Sequence, residues 1–292
     1  MVESNTEITK YAYYPGCSLH SSAREYDVSA RLVYQKLGIE LQELPDWNCC
    51  GASSAHSTNH LLSLALPARD LQTAEELGLP LVAACALCFS RLKIANYELK
   101  NEATRSEISN ILGRKINGTT EVRHLLQIVD GKKESLAITK PLTGLKVACY
   151  YGCYLTRPRE IAEMDSEENP QIMDKLIAAL GAEVIDWSLK TECCGASLPL
   201  TRPDIVLKLC HRLLKQAKQS GADCLAVACP MCHSNLDTKQ KQIQATYSDD
   251  VSMPIFYFTQ LMGLAMGFTP KQLLLDKHFS NPLPLLKEKG LA

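Results

Sequence analysis

One cysteine pattern occurs twice in this chain and constrains its fold more than any other feature. A single Cys is followed by an adjacent Cys-Cys-Gly and then by Cys-x-x-Cys. From the Cys-Cys pair onward, each cysteine of the second copy stands 144 positions after its counterpart. The first set consists of Cys17, Cys49, Cys50, Cys85 and Cys88, and the second of Cys153, Cys193, Cys194, Cys229 and Cys232. A register kept over this distance indicates a duplicated domain that preserves a set of five thiols.

The spacing of the five sulfurs favours a multinuclear iron–sulfur group. Neighbouring residues in an extended stretch project to opposite sides, so Cys49 and Cys50 suit different irons of one cluster better than one shared ion. Five sulfurs exceed the four ligands of tetrahedral zinc, and the parts of each set lie more than thirty residues apart. Iron–sulfur ligation therefore fits best. Zinc, a thioredoxin-like dithiol and purely structural thiols are the alternatives.

Length and charge agree with two domains that bind neither nucleic acid nor a membrane surface. A chain of 292 residues is long enough for two cores. We place the division between residues 138 and 139, so that residues 1–138 carry the first cysteine set and residues 139–292 carry the second set and a C-terminal tail. The 31 basic and 32 acidic residues are well mixed, which argues against a nucleic acid or an anionic membrane as a partner.

The cysteine content and the N-terminus predict a cytoplasmic protein. The first ten residues are polar and contain no apolar core of the kind that a secretory signal requires. In a reducing compartment, thirteen cysteines favour metal binding or catalysis over disulfides. The longest apolar stretch, residues 255–268, is too short to span a bilayer. We predict that it forms a buried helix and that the chain has no transmembrane segment.

Strands and helices alternate along the chain, and each cysteine site follows a predicted strand. The predicted strands are residues 11–14, 39–44 and 81–84 in the first copy and residues 146–151, 183–187 and 225–228 in the second. Residues 89–135 are predicted to be helical, with a capping box at Thr104 and Glu107. Because the carboxyl ends of parallel strands meet at one edge of a sheet, five cysteines from three loops are expected to converge there.

Three cysteines and two histidines outside the pattern have simpler interpretations. Cys149, Cys210 and Cys224 lie in apolar strands or a helix and are predicted to be small core residues. His56 and His60 have the spacing of a metal pair on a helix, but a solvated helix face is the preferred interpretation.

Four charged or titratable residues are candidates for substrate contacts. His233 directly follows the last patterned cysteine, where it could donate a proton to a released thiolate or hydrogen-bond a sulfide. Arg157, Arg159 and Arg202 could recognise an anionic substrate. For these three arginines the preferred interpretation is ordinary surface charge.

The double pattern resembles the CCG cysteine-rich domain, and two complete copies without a ferredoxin-like extension are similar to HdrB, the B-type subunit of heterodisulfide reductase. The matching segments include Tyr151-Gly-Cys153, Glu192-Cys-Cys-Gly195, Gly221-Ala-Asp-Cys224, Cys229-Pro-Met-Cys-His-Ser-Asn-Leu-Asp237 and Tyr257-Phe-Thr-Gln-Leu261. The resemblance covers nearly the whole chain. Together with the strand and helix pattern, it implies an α/β fold of two similar domains, with short parallel sheets flanked by helices and a pseudo-twofold relation.

The resemblance also implies the cofactors, the reaction and the partners. Each five-cysteine set would bind a noncubane [4Fe–4S] cluster, and all ten cysteines would be catalytic through these clusters. A disulfide of small thiol substrates would be reduced between them, with electrons from a ferredoxin-like HdrC-type subunit that is supplied by a flavin-containing HdrA-type subunit. The chain itself carries no phosphate-binding loop and no strand-associated G-x-G-x-x-G, so no flavin or nicotinamide is expected on it.

Two other functions are compatible with the same residues. In the first, the chain is an electron-transfer CCG subunit of a succinate, lactate or glycolate dehydrogenase or of a quinone-linked complex, held near a membrane by a partner. In the second, the sulfur chemistry runs in reverse and thiols are oxidised. Cluster environment and partners set the potentials, so both directions of the reaction fit this sequence.

Overall fold

The computed structural model describes residues 9–52, 54–132 and 136–292. The prediction that no secretory signal is present rests largely on residues 1–8, which lie outside the described residues. So does part of the turn before the predicted domain division, residues 133–135. Below, the first half means residues 9–132 and the second half means residues 136–292.

Each half contains a four-stranded parallel sheet with helices packed against it. The strands of the first half are β1 (Thr9–Tyr14), β2 (Ile39–Glu43), β3 (Leu81–Ala83) and β4 (Val122–His124). Its helices are α1 (Gly16–His20), α2 (Arg24–Lys36), α3 (Ala55–Thr58), α4 (His60–Leu77), α5 (Ala86–Glu98), α6 (Glu102–Leu112) and α7 (Leu125–Asp130). The strand order is β2-β1-β3-β4.

The second half repeats this arrangement. Its strands are β5 (Lys146–Tyr150), β6 (Glu183–Ile185), β7 (Cys224–Val227) and β8 (Ile255–Tyr257), in the order β6-β5-β7-β8. Its helices are α8 (Arg159–Ala162), α9 (Ile172–Ala179), α10 (Pro203–Gln219), α11 (Pro230–Thr238), α12 (Gln240–Tyr247), α13 (Phe258–Ala265) and α14 (Leu283–Glu288), with a 3₁₀ turn at Leu275–Lys277. The predicted fold class, two duplicated α/β domains with short parallel sheets, is confirmed.

The inner strands are apolar because helices cover both faces of each sheet. All residues of β3 and β7 are buried, as are Ala12, Tyr13 and Tyr14 at the end of β1. Short continuous runs of small and branched apolar residues are typical of such strands. The three strands predicted in each half therefore form where the sequence indicates.

The fourth strand of each half is the main departure from the sequence-based expectation. Residues 89–135 are not helical throughout, because Val122–His124 pairs with β3. Residues 255–268 are not one helix either, because Ile255–Tyr257 pairs with β7 before α13 begins. Thr104 does not cap a helix but lies inside α6, where its backbone N–H donates to the side chain of the true cap, Asn101 (3.1 Å).

The two halves pack through reciprocal helix pairs, which gives the pseudo-twofold relation. Helix α2 packs against α13, and its counterpart α9 packs against α7, the counterpart of α13. In the same way, α5 contacts α8 while α11 contacts α1. Polar contacts reinforce this interface: the buried hydroxyls of Ser29 and Thr259 are 2.7 Å apart, and Lys93 forms an ion pair with Glu163.

Within the described ranges, no helix has both the length and the apolar composition needed to cross a membrane.

The C-terminal tail folds back onto the second half. The backbone N–H groups of Phe279 and Ser280 donate to the carboxylate of Asp237 (2.7 and 2.8 Å), and the side-chain amide of Gln260 donates to the carbonyl of Leu273 (3.2 Å).

Candidate functional site

The ten patterned cysteines lie at the carboxyl ends of strands, as predicted. In the first half Cys17 follows β1 and the pair Cys49 and Cys50 follows β2. After β3, Cys85 is the N-cap of α5 and Cys88 lies in the first turn of that helix. In the second half the equivalent cysteines follow β5, β6 and β7. Parallel strands place these ends at one edge of each sheet. Each set of five thiols is therefore gathered from the three segments that follow these strands.

The thiols of the first set are in contact with one another. The thiol of Cys49 lies next to those of both Cys17 and Cys50. Cys88 contacts Cys50 and Cys85 in turn. Cys17 and Cys49 are exposed, whereas the other three are buried. The set therefore extends from solvent into the core.

The second set is arranged in the same way. Cys153 is in contact with Cys193, and the sulfurs of Cys194 and Cys232 are 3.4 Å apart. Cys232 also contacts Cys229. Cys193 is exposed and Cys153 is half-buried, whereas the remaining three are buried. Both sets thus open to solvent through the single cysteine and the first cysteine of the Cys-Cys pair.

The two sets meet inside the molecule. Cys85 and Cys229, the first cysteines of the two Cys-x-x-Cys turns, lie next to each other across the interface between the halves. Nearby, the hydroxyl of Ser18 lies 4.0 Å from the sulfur of Met231. The ten thiols therefore form one sulfur-rich region that crosses the pseudo-twofold axis.

The first cysteine of each Cys-Cys pair has the character of a thiolate. Contacts with the thiols of Cys17 and Cys50 lower the pKa of Cys49 to about 2. Contact with Cys153, helped by backbone N–H groups, lowers the pKa of Cys193 to about 6. One of these N–H groups, that of Gly195, donates to the Cys193 sulfur at 3.2 Å. Thiolates are the metal-binding form of cysteine.

The donor set fits a multinuclear iron–sulfur group better than a single ion. Among the described residues, no group of three or more His, Cys, Asp or Glu side chains is arranged to hold a single metal ion. Each half nevertheless supplies five thiols and backbone N–H donors on three neighbouring loops, which is the chemistry of iron–sulfur ligation.

Two glycines leave room beside these sulfurs. Gly16 and Gly152 occupy equivalent positions and have positive φ angles of +72° and +68°. A Cβ would stand 3.1 Å from the Cys88 sulfur at Gly16, and 3.2 Å from the Cys232 sulfur at Gly152. A side chain at either position would therefore be strained and would press on a patterned cysteine.

Gly152→Ala is accordingly expected to weaken the second site. The left-handed backbone alone should lower the free energy of unfolding by about 1–2 kcal/mol, and crowding of Cys232 should also reduce the bound iron. Gly144→Ala is the matched control, because Gly144 has φ +80° with no atom within 4 Å of the added Cβ. Chemical denaturation and iron analysis of both variants test this. Equal iron content in the two would show that the space beside Cys232 is unimportant.

His124 and Tyr257, which sequence reasoning missed, lie at equivalent positions beside the cysteines. Each ends the fourth strand of its half and begins the following helix. Each also has a glutamine three residues later that accepts from its backbone N–H, at 2.8 Å from Gln127 and 3.0 Å from Gln260. The repeated pattern of a ring followed by Gln at the third position is the signal that could have revealed both strands.

His233 is buried and does not face solvent. Its Nε2 lies 3.1 Å from the carbonyl oxygen of Ile255, and its ring stacks on Tyr257 at 4.3 Å. Burial, followed by the nearby His278, lowers the pKa of His233 to about 3. Proton donation by His233 stays a prediction.

The remaining candidates lie either at the surface or in the core. Arg157 pairs with Glu168 (3.0 Å) and Arg202 with Asp204 (2.8 Å), all at the surface, and Arg159 is also exposed. His56 and His60 are exposed as expected, but they lie on two helices, α3 and α4, and not on one helix face. The predicted core cysteines Cys149, Cys210 and Cys224 are fully buried.

A family model describes the same two segments that carry the cysteine sets. The CCG model, a cysteine-rich domain, matches residues 11–93 and 147–237. Together these matches cover more than half of the chain. The chain belongs to the CCG family.

Relatives with assigned names align with nearly the whole chain. The 8-methylmenaquinol:fumarate reductase membrane anchor subunit of Wolinella succinogenes is 34% identical over 272 residues, covering 91% of this chain and 95% of that protein. The B-type subunit (HdrB) of the ferredoxin/F420H2-dependent CoB-CoM heterodisulfide reductase of Methanosarcina acetivorans is 31% identical over 282 residues, covering 93% and 94%. This CCG protein is thus a heterodisulfide-reductase-like iron–sulfur subunit of the oxidoreductase class.

A solved structure confirms the fold independently. A hypothetical protein from Helicobacter pylori superposes with a TM-score of 0.77 at 18% identity, over 94% of this chain. This CCG chain spans about half, 52%, of that protein. At this identity the similarity establishes the architecture alone.

Proposed function

We propose that the chain is the catalytic subunit of a heterodisulfide-reductase-like complex and reduces a disulfide of small thiols. The observation that carries the proposal is the meeting of two complete five-cysteine sets through Cys85 and Cys229. Reduction of a disulfide takes two electrons and two protons and yields two thiols. Two redox sites side by side, each opening to solvent through exposed cysteines, suit a substrate with two sulfur atoms.

The ten patterned cysteines are the proposed ligands of two noncubane [4Fe–4S] clusters. Cys17, Cys49, Cys50, Cys85 and Cys88 would hold one cluster, and Cys153, Cys193, Cys194, Cys229 and Cys232 the other. When bound, such clusters supply single electrons and a thiophilic iron that can take a sulfur ligand. The protein residues bury six of the ten sulfurs, which excludes water from the region where the sets meet.

The proposed partners supply the electrons. They are a ferredoxin-like subunit of the HdrC type and a flavin-containing subunit of the HdrA type. Support comes from the names of the archaeal relatives, one of which is the B-type subunit of a ferredoxin:CoB-CoM heterodisulfide reductase from Methanosarcina mazei. We place this complex in the cytoplasm, where a partner could also hold it against a membrane.

We also propose the division of the chain at residues 138 and 139. The backbone N–H groups of Thr139 and Lys140 both donate to the carbonyl oxygen of Ala265, at 2.9 and 3.0 Å. These contacts attach the start of the proposed second domain to its α13. The first cysteine set would then belong to residues 1–138 and the second cysteine set to residues 139–292.

A second candidate is electron transfer without disulfide chemistry. The relative from Wolinella succinogenes, which is named as a fumarate reductase subunit, favours it. In this case the ten cysteines would hold the same clusters, but electrons would pass to or from a quinone-linked complex. The two functions differ in whether a thiol binds at the clusters.

Iron analysis followed by thiol titration separates the candidates. We expect the anaerobically purified chain to carry about eight irons and matching sulfide. Adding candidate thiols to the oxidised protein should produce a paramagnetic signal in EPR. About four irons, or eight irons without a thiol response, would favour electron transfer. Zinc in place of iron would refute both candidates.

A further inference from the structure

His124 touches both Cys-x-x-Cys turns at once. Its Nε2 lies 2.9 Å from the carbonyl oxygen of Ala84 and 3.2 Å from that of Ala228. Ala84 directly precedes Cys85, and Ala228 directly precedes Cys229. One ring nitrogen of the first half therefore contacts the backbone on both sides of the interface, one residue before each of the two cysteines that meet there.

The other ring nitrogen fixes which nitrogen carries the proton. Nδ1 of His124 accepts a hydrogen bond from the backbone N–H of Leu126 at 3.1 Å. A nitrogen that accepts has no proton in the neutral ring, so the proton is on Nε2. That single N–H is then shared between the two carbonyl oxygens.

The ring has no freedom to leave this position. His124 is fully buried, and the ring of Phe89 packs edge-on against it at 5.7 Å. Its backbone is held as well, because the side chain of Gln127 accepts from its N–H. A buried carbonyl oxygen that loses its hydrogen-bond donor is costly, so both turns are stabilised at their present distance from this ring.

The second half has no equivalent contact among the described residues. The residue that corresponds to His124 is Tyr257, whose ring stacks on Tyr26 at 4.1 Å and on His233 at 4.3 Å. Tyr26 belongs to the first half, so Tyr257 joins the halves through ring faces. His124 joins them through a directional hydrogen bond to the backbone beside the cysteines.

We propose that His124 is a positioning residue that fixes the separation of the two Cys-x-x-Cys turns, so that the two cysteine sets act as a pair. The proposal rests on the proposed function only for its catalytic consequence. The geometric part, one histidine that restrains both turns, concerns the backbone and can be measured without substrate.

Two variants separate this role from helix capping. His124→Asn keeps an acceptor near the position of Nδ1, and asparagine is among the best N-cap residues, so it should preserve the start of α7. It removes the donor at the position of Nε2. His124→Gln places an amide N–H near that position and weakens the cap instead.

Hydrogen exchange measured by mass spectrometry on the full iron-loaded chain is the primary test. We expect His124→Asn to accelerate exchange roughly tenfold in two peptides, residues 81–89 and residues 225–233, each of which contains one of the two turns. His124→Gln should leave both turns close to wild type. EPR of the reduced protein should show a magnetic interaction between the two centres that His124→Asn loses and His124→Gln retains.

The other outcomes overturn the proposal. Unchanged exchange in both turns in His124→Asn would show that the hydrogen bond does not restrain them. Faster exchange in His124→Gln alone would assign the residue to capping, and equal acceleration in both variants would assign it to packing of the ring.

Activity distinguishes this inference from the proposed function. If His124 positions the sets for disulfide reduction, His124→Asn should lower the rate about tenfold to a hundredfold, since a displacement near 1 Å can have this effect. If wild type cleaves no disulfide while the exchange result holds, the proposed function fails and the positioning role stands.

Discussion

Cys194→Ser should remove about half of the iron that the purified chain carries. Cys194 is buried, its sulfur lies 3.4 Å from that of Cys232, and the side-chain amide of Asn235 lies 3.9 Å from the same sulfur. A serine oxygen is a harder and much weaker ligand for iron than a thiolate, so the second set would lose its cluster. The first set, gathered on separate loops, should keep its own iron.

The matched control is Cys224→Ser. Cys224 is also fully buried, but it lies outside both cysteine sets, with its sulfur 3.9 Å from the carbonyl oxygen of Lys146. Iron content should then stay at the wild-type level. Cys50→Ser, at the position equivalent to Cys194, should remove the other half of the iron. Full iron content in Cys194→Ser would contradict the ligand assignment, and complete loss would show that the two sets do not load independently.

Lys190→Met should destabilise the protein by about 3–5 kcal/mol, because it leaves a buried carboxylate without its cation. The ammonium group of Lys190 lies 2.7 Å from Asp174 Oδ1, and both side chains are less than 10% exposed. The hydroxyl of Tyr151 donates to Asp174 Oδ2 at 2.6 Å. The free energy of unfolding from anaerobic chemical denaturation measures this effect.

The same group of residues shapes the loop before Cys153. The carbonyl oxygen of Lys190 accepts from the backbone N–H groups of Tyr151 and Gly152, at 2.8 and 3.1 Å. Lys190→Met should therefore also lower the iron content of the second set. The double variant Lys190→Met with Cys50→Ser shows whether this loss is confined to the second set. Because Cys50→Ser already removes the iron of the first set, the double variant should contain less iron than Cys50→Ser alone.

A double variant tests the physical cause. Lys190→Met with Asp174→Asn removes both charges and keeps an acceptor for Tyr151, so it should be more stable than Lys190→Met alone. Arg202→Met, which breaks an ion pair at the surface, should leave stability unchanged within error. A double variant less stable than Lys190→Met would show that the shape of Lys190, and not the charge left on Asp174, determines the loss.

The sequence predicted the strands before the cysteines because each is a compact apolar run that ends at a loop. It missed β4 and β8 because each has three residues and continues directly into a helix, so the helical period of the following residues hides it. At residues 255–268 this produced one helix where a strand and α13 exist. Periodicity over a window of ten or more residues cannot resolve so short an element.

Contacts between distant loops could not be predicted from spacing. The convergence of each cysteine set followed from parallel strands, which is a property of one sheet. The contact of Cys85 with Cys229 depends on how the two sheets face each other, and the buried pair of Asp174 and Lys190 depends on how the loop that carries Lys190 passes the start of α9. Neither property leaves a periodic signal in the chain.

The pseudo-twofold packing of the helix pairs affects which residues the two halves can carry at equivalent positions. In a dimer of two identical halves, a histidine at the position of His124 would be present twice, and two N–H groups would compete for the carbonyl oxygens of Ala84 and Ala228. Joining the halves in one chain removes this restriction, because equivalent positions can then carry different residues. Histidine at 124 and tyrosine at 257 make use of this freedom, so the axis that relates the folds does not relate the environments of the two cysteine sets.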